Sequence, residues 1–393
     1  MISIGTDFSG IGSPEQALMK MGIEHKSMFA CDVDKYAKQS YLANYKTENF
    51  YDDITKRNHN ETPYVDLYVA GFPCQTFSMA GKRKGFEDTR GTLFFDLLQY
   101  LKAKKPKYFV LENVKGLLSH NGGRTFLTIL DCLAKTVNKQ YSFTTYEDSL
   151  NYYVYYKVLN TKDYGIPQNR ERVFIVGFRD EKHSFKFPKK IPLELKLKDI
   201  INNNVDEKYF LSDKMIKGIE KSNFRERQPI DINGVCKTLK IGGDTPCFKV
   251  HSLYPRSSRT GKGGSGPLSK EDGTTYCLDT GNNQAIEIKN PLKNKTQYGW
   301  HFEQNVYDNQ SIVRALKAAE GSGNKPKVIT ENRIRRLTPT ECFRLQGFPD
   351  SFVDKCREIG ISDTQLYKQA GNSITVDVMK HLFREILINE KSV

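Results

Sequence analysis

The sequence predicts an α/β fold with a mixed, mostly parallel sheet, joined to a smaller, irregular, β-rich region. Over about the first 180 of 393 residues, short β-rich runs alternate with amphipathic segments, as strands and helices do in parallel sheets. Glycines separate the first predicted strand from the first predicted helix, as in nucleotide-binding α/β folds. From about Phe187 the chain becomes Lys-rich and Gly-dense, which is typical of a β-rich module with long loops or of a partly disordered insert.

Periodicity and turn residues place the individual elements. Strands are predicted at Met1–Thr6, Lys26–Cys31, Val65–Ala70, Tyr108–Glu112, Tyr152–Leu159 and Arg172–Phe178. Helices are predicted at Ala17–Met21, Tyr36–Asn44, Thr92–Lys102, Thr125–Thr136, Arg333–Leu345 and Val376–Ile388. Ser13 is the expected N-cap of the first helix, because Pro14 suits the first helical position and Gln16 lies three residues after the cap.

Composition excludes several classes of protein. No apolar run approaches the roughly 18 residues that a membrane span needs, and the N-terminus lacks a secretory leader, so a cytoplasmic protein without a membrane partner is expected. The eight cysteines contain no C-x-x-C pair, which argues against a disulfide framework and against a metal site.

The net charge favours a polyanionic partner. The chain carries +14 at a pI near 9.2, and residues 186–361 account for +10 of it, with 31 basic against 21 acidic residues. Such a local excess indicates a binding surface for nucleic acid, although a merely solvated basic face has the same composition.

Acidic residues follow the glycines at the spacing of a nucleotide site. Gly10 and Gly12 let the backbone approach a ligand, or they simply make a tight turn. Asp32 ends the next predicted strand about 20 residues later, where a carboxylate can bind ribose hydroxyls. Because the glycine spacing departs from G-x-G-x-x-G, a cofactor without a pyrophosphate is preferred to NAD. Asp53 is either a second acid near the adenine or a solvated loop residue.

Reactive side chains follow the later predicted strands. Cys74 comes just after Val65–Ala70, where loops meet helix N-termini, although a thiol in an arbitrary position is more often an inert core residue. Glu112 ends the next strand and can act as a proton donor, or it caps a helix. Arg170 and Arg172 begin a later strand and bring guanidinium groups suited to a carbonyl or phosphate.

Six motifs in a fixed order identify a family. They are Asp7-Phe8-Ser9-Gly10-Ile11-Gly12, Gly71-Phe72-Pro73-Cys74-Gln75, Glu112-Asn113-Val114, Gln168-Asn169-Arg170-Glu171-Arg172, Arg336-Leu337-Thr338-Pro339 with Glu341 and Leu345-Gln346-Gly347-Phe348-Pro349, and Gln369-Ala370-Gly371-Asn372-Ser373. In these motifs the chain resembles DNA (cytosine-5)-methyltransferases of the bacterial and phage type. The resemblance covers nearly the whole chain except residues 186–330.

The resemblance implies a fold, a domain organisation and a cofactor. A Rossmann-like catalytic domain that uses S-adenosylmethionine is expected over residues 1–185 and 362–393. The variable target-recognition domain is expected over 186–330, with a hinge and motif segment over 331–361. In this family an S-adenosylmethionine methyl group is transferred to C5 of a cytosine that is flipped out of duplex DNA, and S-adenosylhomocysteine is released.

The resemblance also implies roles for particular residues. Cys74 attacks C6 of the cytosine, Glu112 protonates its N3 side, and Arg172, with Arg170 nearby, holds O2. The expected cofactor contacts are Phe8, Ser9, Gly10 and Gly12 at the methionine end, Asp32 at the ribose, Asp53 and Ile54 at the adenine, and Gly71, Pro73, Asn372 and Ser373 around the pocket. Residues 78–91 are expected to form a mobile catalytic loop. The expected DNA contacts are Ser78, Lys82, Arg83, Arg90, Arg256, Arg259 and Lys262.

Two alternatives compete with this interpretation. One is a tRNA cytosine methyltransferase on the same fold, but Cys342-Phe343-Arg344 does not supply the Cys-Phe-Thr element of those enzymes. The other is a DNA-binding protein that has lost catalysis, which the intact Cys74 and Glu112 argue against. The expected partner is double-stranded DNA, with room for a functionally paired restriction endonuclease. The protein is expected to be a nucleoid-associated monomer.

Overall fold

The computed structural model describes residues 1–73, 93–141, 149–181, 185–210, 212 and 333–388, together with short strands between residues 250 and 330. The chain divides into two compact units. The first contains Met1–Leu195, Arg314–Glu320 and Pro339–Val393, and the second contains Lys196–Val313 and Gly321–Thr338. The domain roles expected from the resemblance stay predictions.

A nine-stranded sheet forms the centre of the first unit. Its strands are β1 Ile2–Asp7, β2 His25–Cys31, β3 Phe50–Tyr51, β4 Leu67–Ala70, β5 Tyr108–Val114, β6 Ala134–Val137, β7 Gln140–Tyr141, β8 Tyr152–Asn160 and, after the short β9 Gln168–Asn169, β10 Glu171–Phe178. The order is β3-β2-β1-β4-β5-β10-β8-β6-β7. The first five strands are parallel, whereas β10 is antiparallel to both β5 and β8. The predicted mixed, mostly parallel sheet is confirmed.

The register of the central strands brings their carboxyl ends to one edge. Asp7 of β1 is level with Cys31 of β2 and with Ala70 of β4. Ala70 is in turn level with Leu111 of β5. All four residues of β4 are buried, because a parallel sheet in this fold is covered on both faces. The loops that follow these strands therefore meet at the same edge of the sheet.

Eight α-helices flank the described part of the sheet. They are α1 Ser13–Lys20, α2 Lys35–Asn44, α3 Leu93–Lys104, α4 Arg124–Leu133, α5 Pro339–Arg344, α6 Asp350–Glu358, α7 Asp363–Asn372 and α8 Val376–Phe383, which continues as a π-helical turn Arg384–Ile388. Helix α8 packs against α1, and α6 packs against α2. The contact between α1 and α8 includes a salt bridge of 2.8 Å between Lys20 and Asp377. The C-terminal helices thus return to the N-terminal half of the sheet.

Two predictions about the ends of helices in the first unit are wrong. Gly12, not Ser13, is the N-cap of α1, and no side chain caps the helix there. The φ of 80° at this position is left-handed, which favours glycine. The predicted helix Thr125–Thr136 ends at Leu133, since the β-branched Thr136 and Val137 belong to β6, which pairs with β8.

The predicted helix Arg333–Leu345 is wrong in its first half. Arg333–Arg336 is a strand, β17, which pairs with β16 Lys327–Thr330, and the helix begins only at Pro339. Proline is well suited to a first helical turn because it lacks an amide hydrogen to leave unsatisfied. Helices α6 and α7 were not predicted.

The described part of the second unit contains two 3-10 turns, Leu197–Asp199 and Glu207–Tyr209, and several short strands. The strands are β11 Val250–Ser252, β12 Leu268–Lys270, β13 Gln284–Ile286, β14 Val306–Tyr307, β16 and β17, and the two-residue β15 Val313–Arg314 lies at the boundary between the units. β11 is the central strand of one three-stranded sheet, and β16 is the central strand of another. Arg335 is buried there, and its Nη2 donates to the carbonyl of Asn202 at 3.1 Å.

None of the helices in the described ranges is long and apolar enough to cross a membrane. The same ranges contain no group of His, Cys, Asp and Glu side chains arranged to hold a metal ion.

Candidate active site

The candidate active site lies at the carboxyl edge of β1, β2, β4 and β5. Asp7 ends β1, and Asp32 directly follows β2. Gly71 directly follows β4, and Glu112 lies near the end of β5. The aligned strand ends therefore gather the predicted cofactor and catalytic residues of the first five strands along one edge, as parallel sheets do for their ligands.

The glycine-containing turn after β1 has an unusual backbone. Phe8, Gly10 and Gly12 all have positive φ angles, of 52°, 53° and 80°. A Cβ atom on Gly12 would lie 2.4 Å from the ring of Tyr45, so only glycine fits there. A Cβ atom on Gly10 would meet no heavy atom within 4 Å, which leaves open space beside the backbone. Gly12 thus serves packing, and Gly10 leaves room for a ligand.

Ser9 fastens this turn to β2. Its Oγ donates to the carbonyl of Thr6 at 2.9 Å and accepts the amide hydrogen of Cys31 at 2.8 Å. Its own amide donates to the carbonyl of Cys31 at 2.9 Å. The buried hydroxyl of Ser9 therefore shapes the turn from within.

Asp32 lies directly against the glycine turn. One carboxylate oxygen accepts from the amide of Gly10 at 2.7 Å, and the other accepts from the amide of Asp34 at 2.8 Å. Burial raises the pKa of Asp32, and the two backbone hydrogen bonds oppose that shift. Because each carboxylate oxygen has two lone pairs, Asp32 can still accept hydrogen bonds from a ligand hydroxyl.

Asp53 and Ile54 follow β3, next to β2. The Oδ1 of Asp53 accepts from the amide of Thr55 at 2.9 Å and from its hydroxyl at 2.7 Å. These hydrogen bonds, the hydroxyl's above all, lower the pKa of Asp53. The side chain of Ile54 is buried. Asp53 thus caps a 3-10 turn, Ile54–Lys56, and presents a charged carboxylate near the surface.

Glu112 forms the chemical centre of the described site. Its side chain is only 11% exposed, and its Oε1 lies 3.1 Å from Nε of Arg172. Burial raises the pKa of Glu112, although the charges of Arg172 and Arg170 pull it down. A buried carboxyl with a raised pKa beside a guanidinium can hold a proton and then donate it.

The two arginines of β9–β10 differ in their surroundings. Arg172 is 20% exposed on its side chain and reaches Glu112. Arg170 is buried, and its Nη2 donates to the carbonyl of Ser373 at 2.9 Å. Burial, and then the like charge of Arg172, lower the pKa of Arg170. Arg172 is thus the guanidinium that stays partly accessible beside Glu112, whereas Arg170 bonds to the C-terminal segment.

The C-terminal motif returns to the same edge of the sheet. Ser373 is buried and bound by Arg170, whereas Asn372, the last residue of α7, is exposed. A Cβ atom on Gly71 would lie 3.4 Å from Ile374 and 3.6 Å from Oε2 of Glu112. Position 71 therefore lies within van der Waals distance of both Ile374 and Glu112.

The sequence interpretation did not single out Asn113 as a site residue. Its Nδ2 donates to the carbonyl of Phe72 at 2.8 Å, and its Oδ1 accepts the amide hydrogen of Val114. Asn113 thus holds the backbone two residues before Cys74. The sequence interpretation also did not include the buried ion pair of Asp7 and Arg57. The position of Asn113 between Glu112 and a strand end was the available signal, whereas Arg57 lies outside every motif.

The remaining predicted site residues lie outside the described residues. Pro73, which directly precedes Cys74 in sequence, is described and exposed. They are Cys74, Ser78, Lys82, Arg83, Arg90, Arg256, Arg259 and Lys262.

Comparisons with known proteins agree with this geometry. A family model described as C-5 cytosine-specific DNA methylase matches residues 6–388. The orphan methyltransferase M.SPRI of Bacillus phage SPR is 34% identical, with 98% of each chain covered. The type II methyltransferase M.NlaX of Neisseria lactamica is also 34% identical, over 96% of this chain and 94% of its own.

A solved structure shows the same fold. The Dnmt2 methyltransferase of S. pombe superimposes with a TM-score of 0.63 over the whole of both chains, at 15% sequence identity. At that identity the likeness concerns the fold alone.

Proposed function

The chain belongs to the family of C-5 cytosine-specific DNA methylases, and from that membership we propose that it methylates C5 of a cytosine within a specific sequence of double-stranded DNA, with S-adenosylmethionine as donor. The observation that carries the proposal is the buried Glu112–Arg172 pair at the sheet edge, against Gly71, three residues before Cys74. Net charge of +14 supports a polyanionic substrate.

The glycine turn and the neighbouring acids fit the cofactor. Open space at Gly10 admits a ligand against the backbone, and Asp32 has lone pairs left for ribose hydroxyls. Asp53 and Ile54 would receive the adenine, while Phe8, Ser9, Gly12, Gly71, Pro73, Asn372 and Ser373 would line or shape the rest of the pocket. Bound S-adenosylmethionine supplies a methyl group made electrophilic by its sulfonium charge.

The chain's own residues activate the cytosine. The Cys74 thiolate forms a bond to C6, and the ring electrons displaced toward N3 are met by a proton from Glu112. Arg172 donates hydrogen bonds to O2 and so stabilises the same electron shift. C5 then carries the electron pair that accepts the methyl group. When a general base removes the C5 proton, its electron pair forms the C5–C6 double bond, the C6–S bond breaks and the thiolate leaves, while N3 returns its proton to Glu112.

The reaction requires the target base to leave the duplex. C6 and C5 of a stacked cytosine are inaccessible to a thiol, so the nucleotide has to rotate into the site at a cost of about a few kcal/mol. The proposed DNA contacts are Ser78 and the basic residues Lys82, Arg83 and Arg90 in the sequence after Cys74, together with Arg256, Arg259 and Lys262 in the Lys-rich and Gly-dense region.

A labelling experiment tests the proposal. The protein is incubated with methyl-labelled S-adenosylmethionine in two reactions, one with duplex DNA and the other with tRNA. We expect label on DNA cytosine with the wild type and with Cys132→Ala, which changes a buried core thiol in α4, and none with Cys74→Ser. Label on tRNA alone, or DNA binding without any label, would overturn the proposal.

A trapping experiment tests the covalent step separately. Duplex DNA with 5-fluorocytosine at the methylated position should form a complex with the wild type that survives denaturation, because fluorine cannot leave as a cation. The complex should be missing with Cys74→Ala. A paired restriction endonuclease, a monomeric state and association with the nucleoid stay predictions.

A further inference from the structure

A buried ion pair joins the end of β1 to the segment after β3. Nη1 and Nη2 of Arg57 donate to the two carboxylate oxygens of Asp7 at 2.6 and 2.7 Å. The side chains are 1% and 0% exposed. The hydroxyl of Tyr68 donates a third hydrogen bond to Asp7 at 2.7 Å. The carboxylate therefore has a single orientation, fixed from two sides.

Aromatic rings enclose the guanidinium. Its carbon lies 4.8 Å from the ring centre of Phe29, 5.2 Å from that of Tyr51 and 5.5 Å from that of Tyr100. Such contacts are attractive for a planar cation and exclude water. The Nε of Arg57 has no hydrogen-bond partner among the described residues. The pair thus retains a desolvation penalty, and buried pairs of this kind are often no more stabilising than a hydrophobic replacement.

The pair connects two segments of the proposed cofactor pocket. Asp7 directly precedes Phe8, whose φ of 52° begins the glycine turn. Arg57 ends the 3-10 turn that Asp53 caps, and its amide donates to the carbonyl of Ile54 at 3.4 Å. The methionine end and the adenine end of the pocket are therefore tied to one bidentate contact.

We propose that Arg57 is a positioning residue for S-adenosylmethionine, which through Asp7 holds the glycine turn and the Asp53–Ile54 turn at the separation that the cofactor spans. The inference rests on the proposed function, since it concerns the cofactor of that reaction. Lysine cannot replace arginine in this role, because an ammonium group contacts both oxygens of a carboxylate less rigidly and does not stack between rings.

Binding of S-adenosylhomocysteine, measured by calorimetry on the full chain, tests the proposal without requiring catalysis. We expect Arg57→Lys to weaken binding about tenfold or more and to raise KM for S-adenosylmethionine, while kcat at saturating cofactor stays within about threefold of wild type. Arg344→Lys is the matched control, since Arg344 forms a bidentate pair with Asp350, with both nitrogen–oxygen distances at or below 2.7 Å, in α5 and α6. Its cofactor affinity should equal that of wild type.

Tyr68→Phe keeps the proposal testable if Arg57→Lys does not fold. This variant removes one hydrogen bond to Asp7 and keeps the buried ring, so it should remain folded and bind S-adenosylhomocysteine roughly threefold more weakly. Unchanged cofactor affinity in folded Arg57→Lys and Tyr68→Phe, or a fall in kcat without a rise in KM, would overturn the positioning role. Failure of the wild type itself to bind S-adenosylhomocysteine would instead refute the proposed function.

Discussion

At the scale of single residues, Glu112 illustrates how a fold adjusts one side chain for chemistry. The carboxyl is buried at the end of a central strand, yet it lies 3.1 Å from the guanidinium of Arg172. Burial favours the neutral acid, and the arginines favour the carboxylate, with burial the larger effect. Glu112 is therefore suited to hold a proton at the pH where an ordinary glutamate has lost it.

The raised pKa of Glu112 predicts a pH-dependent effect on stability. Ionising this carboxyl is harder in the folded than in the unfolded chain, so its contribution to stability is complete below the ordinary pKa of 4.5 and is lost as pH rises through the higher folded value. Glu112→Gln cannot ionise. Relative to wild type, its free energy of unfolding should therefore increase with pH above about 4.5, as measured by urea unfolding across a pH series.

The control for that series is Glu171→Gln, which changes an exposed carboxylate that directly precedes Arg172 in sequence and pairs with Lys115 at 3.0 Å. An equal pH-dependent gain in Glu171→Gln would show that the effect is not specific to the buried carboxyl. Methylation by Glu112→Gln should fall by about 10² or more, because the proton donor is lost. Parallel stability curves for Glu112→Gln and wild type would show that the carboxyl is not perturbed as described.

Asn113 allows a second test at the same scale. Asn113→Ala removes the donor to the Phe72 carbonyl and should reduce stability by about 1–3 kcal/mol, because that buried carbonyl loses its partner. Since the same bond holds the backbone that leads to Cys74, kcat should fall about tenfold or more. Thermal unfolding and initial rates measure the two effects.

Asn49→Ala provides the comparison for Asn113→Ala. Asn49 also donates from its side chain to a strand carbonyl, that of Met28, at 3.1 Å, in a partly buried hydrogen bond. It lies away from Cys74 in sequence and from Glu112 on the sheet. It should lose similar stability and keep its kcat. Equal losses of kcat in both variants would mean that Asn113 acts only through general stability.

At the scale of secondary-structure elements, two glycines of the sheet each lie opposite a phenylalanine on the neighbouring strand. Gly177 of β10 lies directly opposite Phe109 of β5, and Gly5 of β1 packs against Phe29 of β2. A Cβ atom on Gly177 would lie 2.0 Å from the Phe109 ring, and one on Gly5 would lie 2.2 Å from the Phe29 ring. In both places the ring occupies the space that a side chain would take.

Gly177→Ala should therefore destabilise the protein. Within a strand, alanine is normally more stabilising than glycine, by about 0.5–1 kcal/mol. Overpacking against Phe109 should outweigh that gain and lower the free energy of unfolding by about 1–3 kcal/mol. The double variant Gly177→Ala with Phe109→Leu should recover part of the loss. Denaturant unfolding measures both variants.

Gly116→Ala is the control for Gly177→Ala. A Cβ atom there meets no heavy atom within 4 Å, and Gly116 belongs to the 3-10 turn after β5. Its stability should stay within about 0.5 kcal/mol of wild type. A stable Gly177→Ala would show that the Phe109 ring moves aside at little cost.

At the scale of the whole molecule, charge is the property that acts over the longest distance. The net charge of +14 attracts a polyanion before any specific contact forms, and +10 of it belongs to residues 186–361. A protein that neutralises about 6–10 phosphates loses about 10³–10⁵ in affinity between about 50 and 200 mM salt. We expect a loss in this range for duplex DNA, measured by fluorescence anisotropy.

Replacing Arg256, Arg259 and Lys262 by alanine separates two kinds of contact. If these residues bind phosphates, affinity should fall equally for all DNA sequences, and the salt dependence should become shallower. If they read bases, the preference for the methylated sequence should weaken by about 1–3 kcal/mol at the altered positions. Unchanged affinity and salt dependence would exclude both roles.

Much of the fold and the site could be predicted from residues that are close in sequence. Strand patterning, the glycine turn and the acids and thiol at strand ends are local signals, and six ordered motifs identify the family. The errors fall where strand pairing decides the structure. Residues 134–136 and Arg333–Arg336 were predicted to be helical, but both belong to strands that pair with a neighbouring strand.

The sequence by itself determined the type of fold, the family and the residue types available for chemistry, because these depend on periodicity and on motif order. Only the tertiary structure decided which of those residues meet. It separated Arg172, beside Glu112, from Arg170, which holds Ser373, and it paired Asp7 with Arg57, fifty positions later. The burial of these side chains, and the distances and electrostatic interactions between them, arise only when the sheet brings together residues that are remote in sequence.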